Sequence, residues 1–178
     1  MELIKIKDKT FEKYITEDKI QSVVVRIAKQ LNADFRGKNP LFLAVLNGAF
    51  IYASDLLKHI DIPCEISFVK LASYSGTDST GKIRELIGLN ENLKGRTIVI
   101  VEDIIDTGLS MDYLMKELEA LSAAEVFITA LLLKPAALIK NIKIHYIGME
   151  IPNDFIVGYG LDYDGQGRNY PDIYKIVN

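Results

Sequence analysis

The sequence has few of the residues that build most transition-metal, redox and nucleophilic sites. Its 178 residues include one cysteine, Cys64, and two histidines, His59 and His145. A single cysteine excludes an internal disulfide and a cysteine-rich zinc site, and it is typical of a reduced, cytoplasmic protein. With two histidines, a histidine-based metal site or a catalytic triad is also poorly supported.

An excess of positive charge and long apolar runs are both absent as well. The net charge is −3, and no cluster of lysine and arginine indicates a nucleic-acid partner. Residues 1–7 lack the apolar stretch of a signal peptide, and no run approaches the length that spans a membrane. We therefore expect a cytoplasmic protein that binds neither nucleic acid nor membrane.

The bulk composition is that of an ordinary globular protein. Hydrophobic residues make up 49% of the chain and charged residues 25%, and 178 residues are enough to bury a sizeable core. No repeat, low-complexity tract or linker divides the chain. We expect residues 1–178 to form one domain.

Hydrophobic periodicity indicates strands alternating with helices. Helical spacing predicts helices over about 17–33, up to about residue 59, over 109–121 and near 136–140. Short apolar or alternating runs predict strands over 41–46, around 66–71 and over 83–89, 97–103, 125–133 and 144–148. This alternation predicts an α/β fold with a mostly parallel sheet covered on both faces.

The most informative segment is the one that begins at Ile98. An apolar β-branched run, typical of a strand buried on both faces, leads into Glu102 and Asp103. Asp106 follows after two isoleucines, and Thr107–Ser110 then opens a helix with hydroxyls, a glycine and free backbone N–H groups. This pattern places an anion-binding loop beside carboxylates suited to Mg²⁺, which predicts a phosphorylated sugar bound with magnesium.

Two segments lie outside this alternation. Residues 73–82 are almost wholly polar, which predicts a surface loop. After residue 150 glycines and prolines are interspersed with aromatics, and we expect this tail to pack with the N-terminal segment over the carboxyl ends of the strands. Ligands of open α/β sheets bind at that edge.

The run Val101–Gly108 resembles the phosphoribosyl-pyrophosphate (PRPP) signature of type I phosphoribosyltransferases. No phosphate loop ending in Gly-Lys-Ser/Thr and no dinucleotide fingerprint competes with it. Further segments narrow the resemblance to the hypoxanthine-guanine phosphoribosyltransferases. They are Leu46-Asn47-Gly48, Ser73-Tyr74 with Ser79-Thr80-Gly81, Leu133-Lys134-Pro135, Glu150–Tyr159, and Leu161-Asp162-Tyr163 through Arg168.

The resemblance implies a fold and a reaction. The fold is the single-domain type I phosphoribosyltransferase fold, with a core over about 36–150 and a small hood from about 1–15 and 151–178. The reaction transfers the phosphoribosyl group from PRPP to N9 of hypoxanthine, and of guanine, releasing pyrophosphate with the help of Mg²⁺. A homodimer or homotetramer follows from the family alone.

The resemblance also implies which residues hold PRPP. Glu102 and Asp103 belong at the ribose hydroxyls, directly or through waters around Mg²⁺. The 5′-phosphate belongs on the following loop, where the contributing residues are Ile105, Asp106, Thr107, Gly108, Leu109 and Ser110. Simple capping of the helix by Thr107 and Ser110 would use the same geometry.

The pyrophosphate site is implied by three further positions. Asn47 and Gly48 match the family's pyrophosphate loop, which often contains a non-proline cis peptide bond. Many relatives have lysine at the position of Asn47. Binding of pyrophosphate by the backbone of this loop would survive that difference, whereas any role of the lysine side chain would not. Arg168 is placed at the pyrophosphate, and Asp162 is placed at a second Mg²⁺.

The resemblance also implies a purine site. Asp106 is the candidate general base, facing N7, although shaping the phosphate loop is an alternative role. Lys134 donates to O6 and so selects 6-oxopurines, Phe155 stacks on the ring, and the backbone of Ile156 meets the Watson–Crick edge.

Two further roles follow from the same resemblance. Backbone near Asp162 reads position 2 of the purine, which leaves xanthine open as a substrate. Ser73 and Tyr74 begin a loop that closes over the site and excludes water.

Two other functions compete with this interpretation. A PRPP-sensing regulator of the same fold would keep the acidic motif without needing Lys134, Phe155 or Asp162. A phosphoribosyltransferase for adenine, xanthine or a pyrimidine is the second alternative, and Lys134 argues against adenine because the 6-amino group is a donor.

Overall fold

A computed structural model describes residues 2–73, 83–87 and 91–177. Tyr74, which we expected in a closing loop, lies outside the described residues. The strands are β1 (Leu3–Ile6), β2 (Lys9–Ile15), β3 (Leu41–Leu46), β4 (Glu65–Ser73), β5 (Ile83–Ile87), β6 (Thr97–Ile105), β7 (Glu125–Leu133), β8 (Tyr146–Glu150), β9 (Ile156–Val157) and β10 (Ile173–Ile176). The helices are α1 (Glu17–Asp34), α2 (Phe50–Leu57) and α3 (Leu109–Ala120), with a 3₁₀ turn at Pro135–Ala137.

A six-stranded sheet forms the centre of the molecule in the order β5-β4-β3-β6-β7-β8. Neighbouring strands from β4 to β8 pair in parallel, and β5 pairs antiparallel with β4 at the edge. The predicted mostly parallel sheet is confirmed. Because β3 and β6 are neighbours at its centre, the loops that follow them meet at one edge.

Both faces of this sheet are covered, as the apolar strands require. The helix α1 presents Ile20, Val24, Ile27 and Leu31 to one face, and each is fully buried. On the other face α3 buries Met111, Leu114 and Leu118 against residues such as Ile98 and Ile100 of β6. The helices predicted over about 17–33 and 109–121 are therefore confirmed, and each turns an apolar side toward the sheet. No helix in the described ranges is long and apolar enough to cross a membrane.

The chain ends form a second, smaller sheet in the order β1-β2-β10-β9. Its strands pair antiparallel, and Ile6, Phe11, Val157 and Tyr174 are buried together beneath it. The sequence indicated that the two ends pack together but predicted no strands after residue 150. Strands of two and four residues are too short to show a reliable alternation.

Several predicted boundaries move by a few residues. The strand expected over 97–103 continues to Ile105, because Ile104 and Ile105 pair with Leu132 and Leu133 of β7. Glu102 and Asp103 lie within the strand, as predicted, and the loop begins only after Ile105. The strand expected from residue 144 begins at Tyr146, and the short helix near 136–140 is the 3₁₀ turn at Pro135–Ala137.

Candidate active site

The loop between β6 and α3 encloses a small cavity of 110 Å³, which is lined by Glu102, Ile104, Ile105, Asp106, Thr107, Gly108, Leu109, Ser110 and Met111. Gly108 directly precedes α3 as its N-cap, with a φ of 81°, and a Cβ there would lie 2.9 Å from Leu138 Cδ1. The backbone N–H of Leu109 donates to Thr107 Oγ1 at 3.4 Å. The first N–H groups of α3 have no helical acceptors, so the cavity is suited to an anion.

A second cavity of 340 Å³ adjoins the first, and it is lined by Gly48, Asp103, Ile104, Asp106, Lys134, Phe155, Ile156, Leu161, Asp162 and Arg168. Ile104 and Asp106 line both cavities. The structure thus brings most of the predicted site residues into two neighbouring compartments. Asn47 is exposed, and its neighbour Gly48 lines the second cavity.

Glu102 and Asp103 point to opposite sides of β6, as successive strand residues must. Glu102 lines the first cavity, and its Oε2 is buried without a hydrogen-bond partner among the described residues. Burial, reinforced by the charge of Asp103, raises the pKa of Glu102 well above its usual value. Burial also raises the pKa of Asp103 to about 6, against the opposing effect of the hydrogen bond from the Ile104 N–H. Both carboxylates therefore lie in environments that disfavour their charged forms.

Gly48 packs directly against Asp103. A Cβ at Gly48 would lie 1.8 Å from Asp103 Oδ2, so only glycine allows this approach. The peptide bond between Leu46 and Asn47 is cis, which confirms the expectation drawn from the family resemblance. The loop that follows β3 therefore presents backbone to the carboxylate of β6.

Lys134 and Asp106 form an ion pair inside the second cavity. Lys134 follows β7 directly and is 8% exposed, and its Nζ lies 3.2 Å from Asp106 Oδ2. The backbone N–H of Lys134 donates to the carbonyl of Ile105 at 2.9 Å, which fixes the lysine beside the phosphate loop. A donor and an acceptor thus stand side by side at one wall of the cavity.

Arg168 and Asp162 form a second ion pair at the same cavity. Arg168 contacts Asp162 Oδ1 at 2.6 Å and donates to the carbonyl of Gly160 at 2.6 Å. Asp162 Oδ2 also accepts the backbone N–H of Gly165 at 2.7 Å. These contacts hold the arginine and the aspartate together within the tail of the chain.

Phe155 offers an apolar surface to the cavity. Its side chain is 46% exposed, whereas its neighbour Ile156 is buried. The ring packs on Phe11 at 6.3 Å and edge-on against Tyr163 at 5.8 Å between centroids. A half-exposed aromatic ring that packs against other aromatic rings within the protein is suited to stacking on a planar ligand.

Comparisons with known proteins identify the family of the chain. Residues 13–164 match the phosphoribosyl transferase domain family. A hypoxanthine-guanine phosphoribosyltransferase of Lactococcus lactis is 43% identical over 92% of this chain and 90% of that protein. The chain belongs to the hypoxanthine-guanine phosphoribosyltransferase family.

Solved structures of this family have the same fold. A hypoxanthine phosphoribosyltransferase of Staphylococcus aureus superposes with a TM-score of 0.88 at 34% identity, over 93% of this chain and 91% of that one. A hypoxanthine-guanine phosphoribosyltransferase of Bacillus anthracis gives 0.87 at 34% identity, over 94% and 97%. The predicted phosphoribosyltransferase fold is confirmed.

One group of relatives is much longer than this chain. The bifunctional protein TilS/HprT of Listeria innocua is 41% identical over 89% of this chain, but the match covers only 25% of that protein. The chain spans about a quarter of the length of such relatives.

Two residues in the second cavity of the candidate site were not predicted from the sequence. Ile104 and Leu161 line the second cavity, although neither was expected to contribute. Leu161 could have been found from its place beside Asp162, whereas an isoleucine in a strand carries no functional signal. Ser73 ends β4, and its place in a closing loop stays a prediction.

The charges around the two cavities are unbalanced. The carboxylates are Glu102, Asp103, Asp106 and Asp162, and the cationic side chains are Lys134 and Arg168. Across 2–73, 83–87 and 91–177, no three histidine, cysteine or carboxylate side chains are grouped tightly enough to hold a metal between them. An added cation would need ligands from outside the protein as well.

Proposed function

We propose that this protein transfers the 5-phosphoribosyl group of PRPP to N9 of hypoxanthine and of guanine, as its relatives' names indicate. The products are the nucleoside 5′-monophosphate and pyrophosphate. The observation that carries the proposal is the pairing of Lys134 with Asp106 in a cavity that adjoins an anion site. That arrangement offers a donor and an acceptor to a purine while the phosphorylated sugar occupies the neighbouring compartment.

The first cavity would bind the 5′-phosphate. The N–H groups at the start of α3 and the hydroxyls of Thr107 and Ser110 can all donate to phosphate oxygens. Gly108 allows the loop to turn closely around the anion. This binding fixes the ribose so that its C1 faces the second cavity.

The pyrophosphate would lie between the loop after β3 and the tail. Gly48 and Arg168 both line the second cavity, and a guanidinium can bind phosphoryl oxygens at two points. Asn47 stands beside Gly48, and its contribution would come from the backbone. Arg168 is engaged by Asp162, so pyrophosphate and Asp162 compete for the same guanidinium.

Mg²⁺ fits the donor set around these cavities. No group in the described part of the chain hydrogen-bonds to the buried Glu102 Oε2. Asp103 is a buried carboxylate, and Asp162 lines the same cavity as Asp103. Mg²⁺ takes oxygen ligands and keeps several waters, so it needs only one or two of these side chains at each position. When bound, Mg²⁺ would neutralise the charge that develops on the leaving pyrophosphate.

The purine would enter between Phe155 and the Lys134–Asp106 pair. Phe155 stacks on the ring, the backbone of Ile156 meets the Watson–Crick edge, and Lys134 donates to O6. Asp106 faces N7 and takes its proton as N9 attacks C1, where positive charge has developed on the ribose. The backbone near Asp162 reads position 2, so xanthine stays an open alternative substrate.

Several expectations stay predictions at this point. They are a homodimeric or homotetrameric state, a cytoplasmic location, closure of the loop that begins at Ser73 and Tyr74, and the division into a core over about 36–150 and a hood from about 1–15 and 151–178. A PRPP-sensing regulator would bind PRPP without releasing pyrophosphate, which separates it from the enzyme in one assay.

The role of Asp106 tests the proposed chemistry. We expect Asp106→Ala to lower turnover by about 10²–10⁴-fold while PRPP binding weakens much less, because a general base acts in the transition state. Initial rates of pyrophosphate release and calorimetric titration with PRPP and Mg²⁺ measure the two effects.

Asp112→Ala is the matched control, since Asp112 lies on α3 and pairs with Lys116 and Lys140. Turnover of that variant should match the unmodified protein. Equal losses of turnover and PRPP binding in Asp106→Ala would contradict the general-base role and leave Asp106 as a residue that shapes the phosphate loop.

A further inference from the structure

Tyr159 is a buried tyrosine that none of the proposed steps uses. It is 2% exposed and lies in the tail between the purine-binding segment and Asp162. Its hydroxyl donates to Asp55 Oδ2 at 2.6 Å, and Asp55 belongs to α2. A tail residue is therefore tied to the helix that directly follows the Asn47–Gly48 loop.

Two other side chains also donate hydrogen bonds to Asp55. Gln21 Nε2 donates to the same oxygen at 2.7 Å, and Lys58 Nζ donates to Oδ1 at 2.8 Å. Burial alone would raise the pKa of Asp55, but the hydrogen bonds from Lys58, Tyr159 and Gln21 outweigh it and hold the pKa below its usual value. Asp55 is thus a charged acceptor, and hydrogen bonds to charged groups are the stronger kind.

The residue after Tyr159 connects this anchor to the pyrophosphate site. Gly160 has a φ of +97°, and a Cβ there would lie 2.0 Å from the carbonyl oxygen of Gly48. Its N–H donates to the carbonyl of Arg168 at 2.9 Å, and its own carbonyl accepts from the Arg168 guanidinium at 2.6 Å. Gly160 therefore touches the loop after β3 and holds Arg168 by two hydrogen bonds.

We propose that Tyr159 is a positioning residue for the pyrophosphate end of PRPP, acting through Gly160. The bond to Asp55 sets the distance between α2 with its preceding loop and the turn that carries Arg168. Without it, the turn can shift relative to Gly48, and the backbone and the guanidinium no longer converge on one ligand. This role rests on the proposed placement of pyrophosphate between Gly48 and Arg168.

Tyr159→Phe tests the role because it removes only the hydroxyl. We expect the KM for PRPP and the inhibition constant of pyrophosphate to rise by about three- to tenfold, with the KM for hypoxanthine within about twofold of the original. The matched control is Tyr146→Phe, since the Tyr146 hydroxyl donates to Asp34 at 2.8 Å away from both cavities. Steady-state kinetics and thermal melts of all three proteins give the readouts.

A merely structural role would make the two variants alike. The proposal holds if Tyr159→Phe and Tyr146→Phe lower Tm by similar amounts and only Tyr159→Phe raises the KM for PRPP and the inhibition constant of pyrophosphate. It is overturned if Tyr159→Phe leaves the KM for PRPP unchanged, or raises the constants for PRPP and hypoxanthine equally.

Two further variants separate this proposal from the proposed site. Arg168→Gln should raise the KM for PRPP in the same assay. No rise would overturn the pyrophosphate placement and the role of Tyr159 together, whereas a rise in Arg168→Gln without one in Tyr159→Phe overturns the role of Tyr159 alone. The KM for PRPP of Asp55→Asn combined with Tyr159→Phe should be no higher than that of the poorer single variant, since both substitutions weaken the same Tyr159–Asp55 hydrogen bond. Additive increases in the KM for PRPP would contradict the proposed coupling of Tyr159 with Asp55.

Discussion

Glu102 shows at the scale of one residue how the site conflicts with stability. Its Oε2 is buried without a partner in the described part of the chain, so the folded protein keeps one carboxylate oxygen without a hydrogen bond. A stable core would avoid such a group. We interpret the cost as the consequence of leaving an oxygen ligand free for ribose hydroxyls or hydrated Mg²⁺.

The first prediction concerns the stability of Glu102→Gln without ligand. The unfolded chain ionises at Glu102 near its ordinary pKa, whereas the folded protein holds the proton to higher pH. The contribution of protonated Glu102 to the free energy of unfolding is therefore complete at low pH and is lost as the pH rises. Removing the charge should raise Tm at pH 8 by about 2–6 °C and have less effect at pH 5.

Calorimetric melts at both pH values provide the measurement. Glu119→Gln is the control, since Glu119 is exposed on α3, and it should leave Tm unchanged. A Glu102→Gln variant less stable than the original at pH 8 would show that Glu102 stabilises the empty site.

At the scale of elements, close backbone contacts determine how the site is assembled. The loop after β3, the strand β6 and the tail meet at Gly48, which lies against Asp103 on one side and Gly160 on the other. Both contacts depend on the absence of a side chain. The site therefore depends on how closely three segments approach, as well as on its charged residues.

Gly160→Ala tests this assembly. The new Cβ would clash with the Gly48 carbonyl, so we expect the KM for PRPP to rise by about tenfold and stability to fall by about 2–4 kcal/mol. Gly37→Ala is the control, because Gly37 also has a positive φ, of 79°. Its chain neighbours apart, no described residue lies within 4 Å of the Cβ position. That variant should lose about 1–2 kcal/mol in urea unfolding and keep its KM. If both variants changed the KM for PRPP and the free energy of unfolding equally, backbone strain alone would explain the loss.

The elements also show what the sequence could predict. Strands β3 and β7 were predicted with the bounds that the structure has, because each is a mostly apolar run that ends before a polar residue, Asn47 after β3 and Lys134 after β7. The segment Glu102–Ser110 indicated a binding site because carboxylates, hydroxyls and a glycine are combined at the end of a buried apolar run. The ion pair of Arg168 with Asp162 and the anchor at Tyr159 depend on tertiary contacts, which no local pattern encodes.

At the scale of the whole molecule, the two ends of the chain form one sheet beside the proposed purine site. Strand β2 pairs with both β1 and β10, and Phe11 of β2 is fully buried against Phe155. The N-terminal strand therefore supports a residue that we place on the purine ring. No sequence pattern indicated this support, since Phe11 and Phe155 are far apart along the chain.

Phe11→Leu tests the coupling between the chain ends and the purine. We expect the KM for hypoxanthine to rise by about three- to fivefold, with the KM for PRPP unchanged, because Phe155 loses an aromatic neighbour. Phe35→Leu is the control, since Phe35 is equally buried and packs edge-on against Phe127 at 4.9 Å in the main core. Both variants should lose about 1 kcal/mol of stability in urea unfolding. A similar rise in KM for Phe35→Leu would show that general loosening, not the chain ends, controls purine binding.

The most direct test of the proposed function measures pyrophosphate release from PRPP with Mg²⁺ and each of four bases: hypoxanthine, guanine, xanthine and adenine. We predict release with hypoxanthine and guanine and none with adenine, because Lys134 offers a donor to position 6. Turnover of xanthine alone would make the assigned specificity wrong, and turnover of adenine would contradict the role of Lys134. No release with any of the four bases would contradict the transferase function itself.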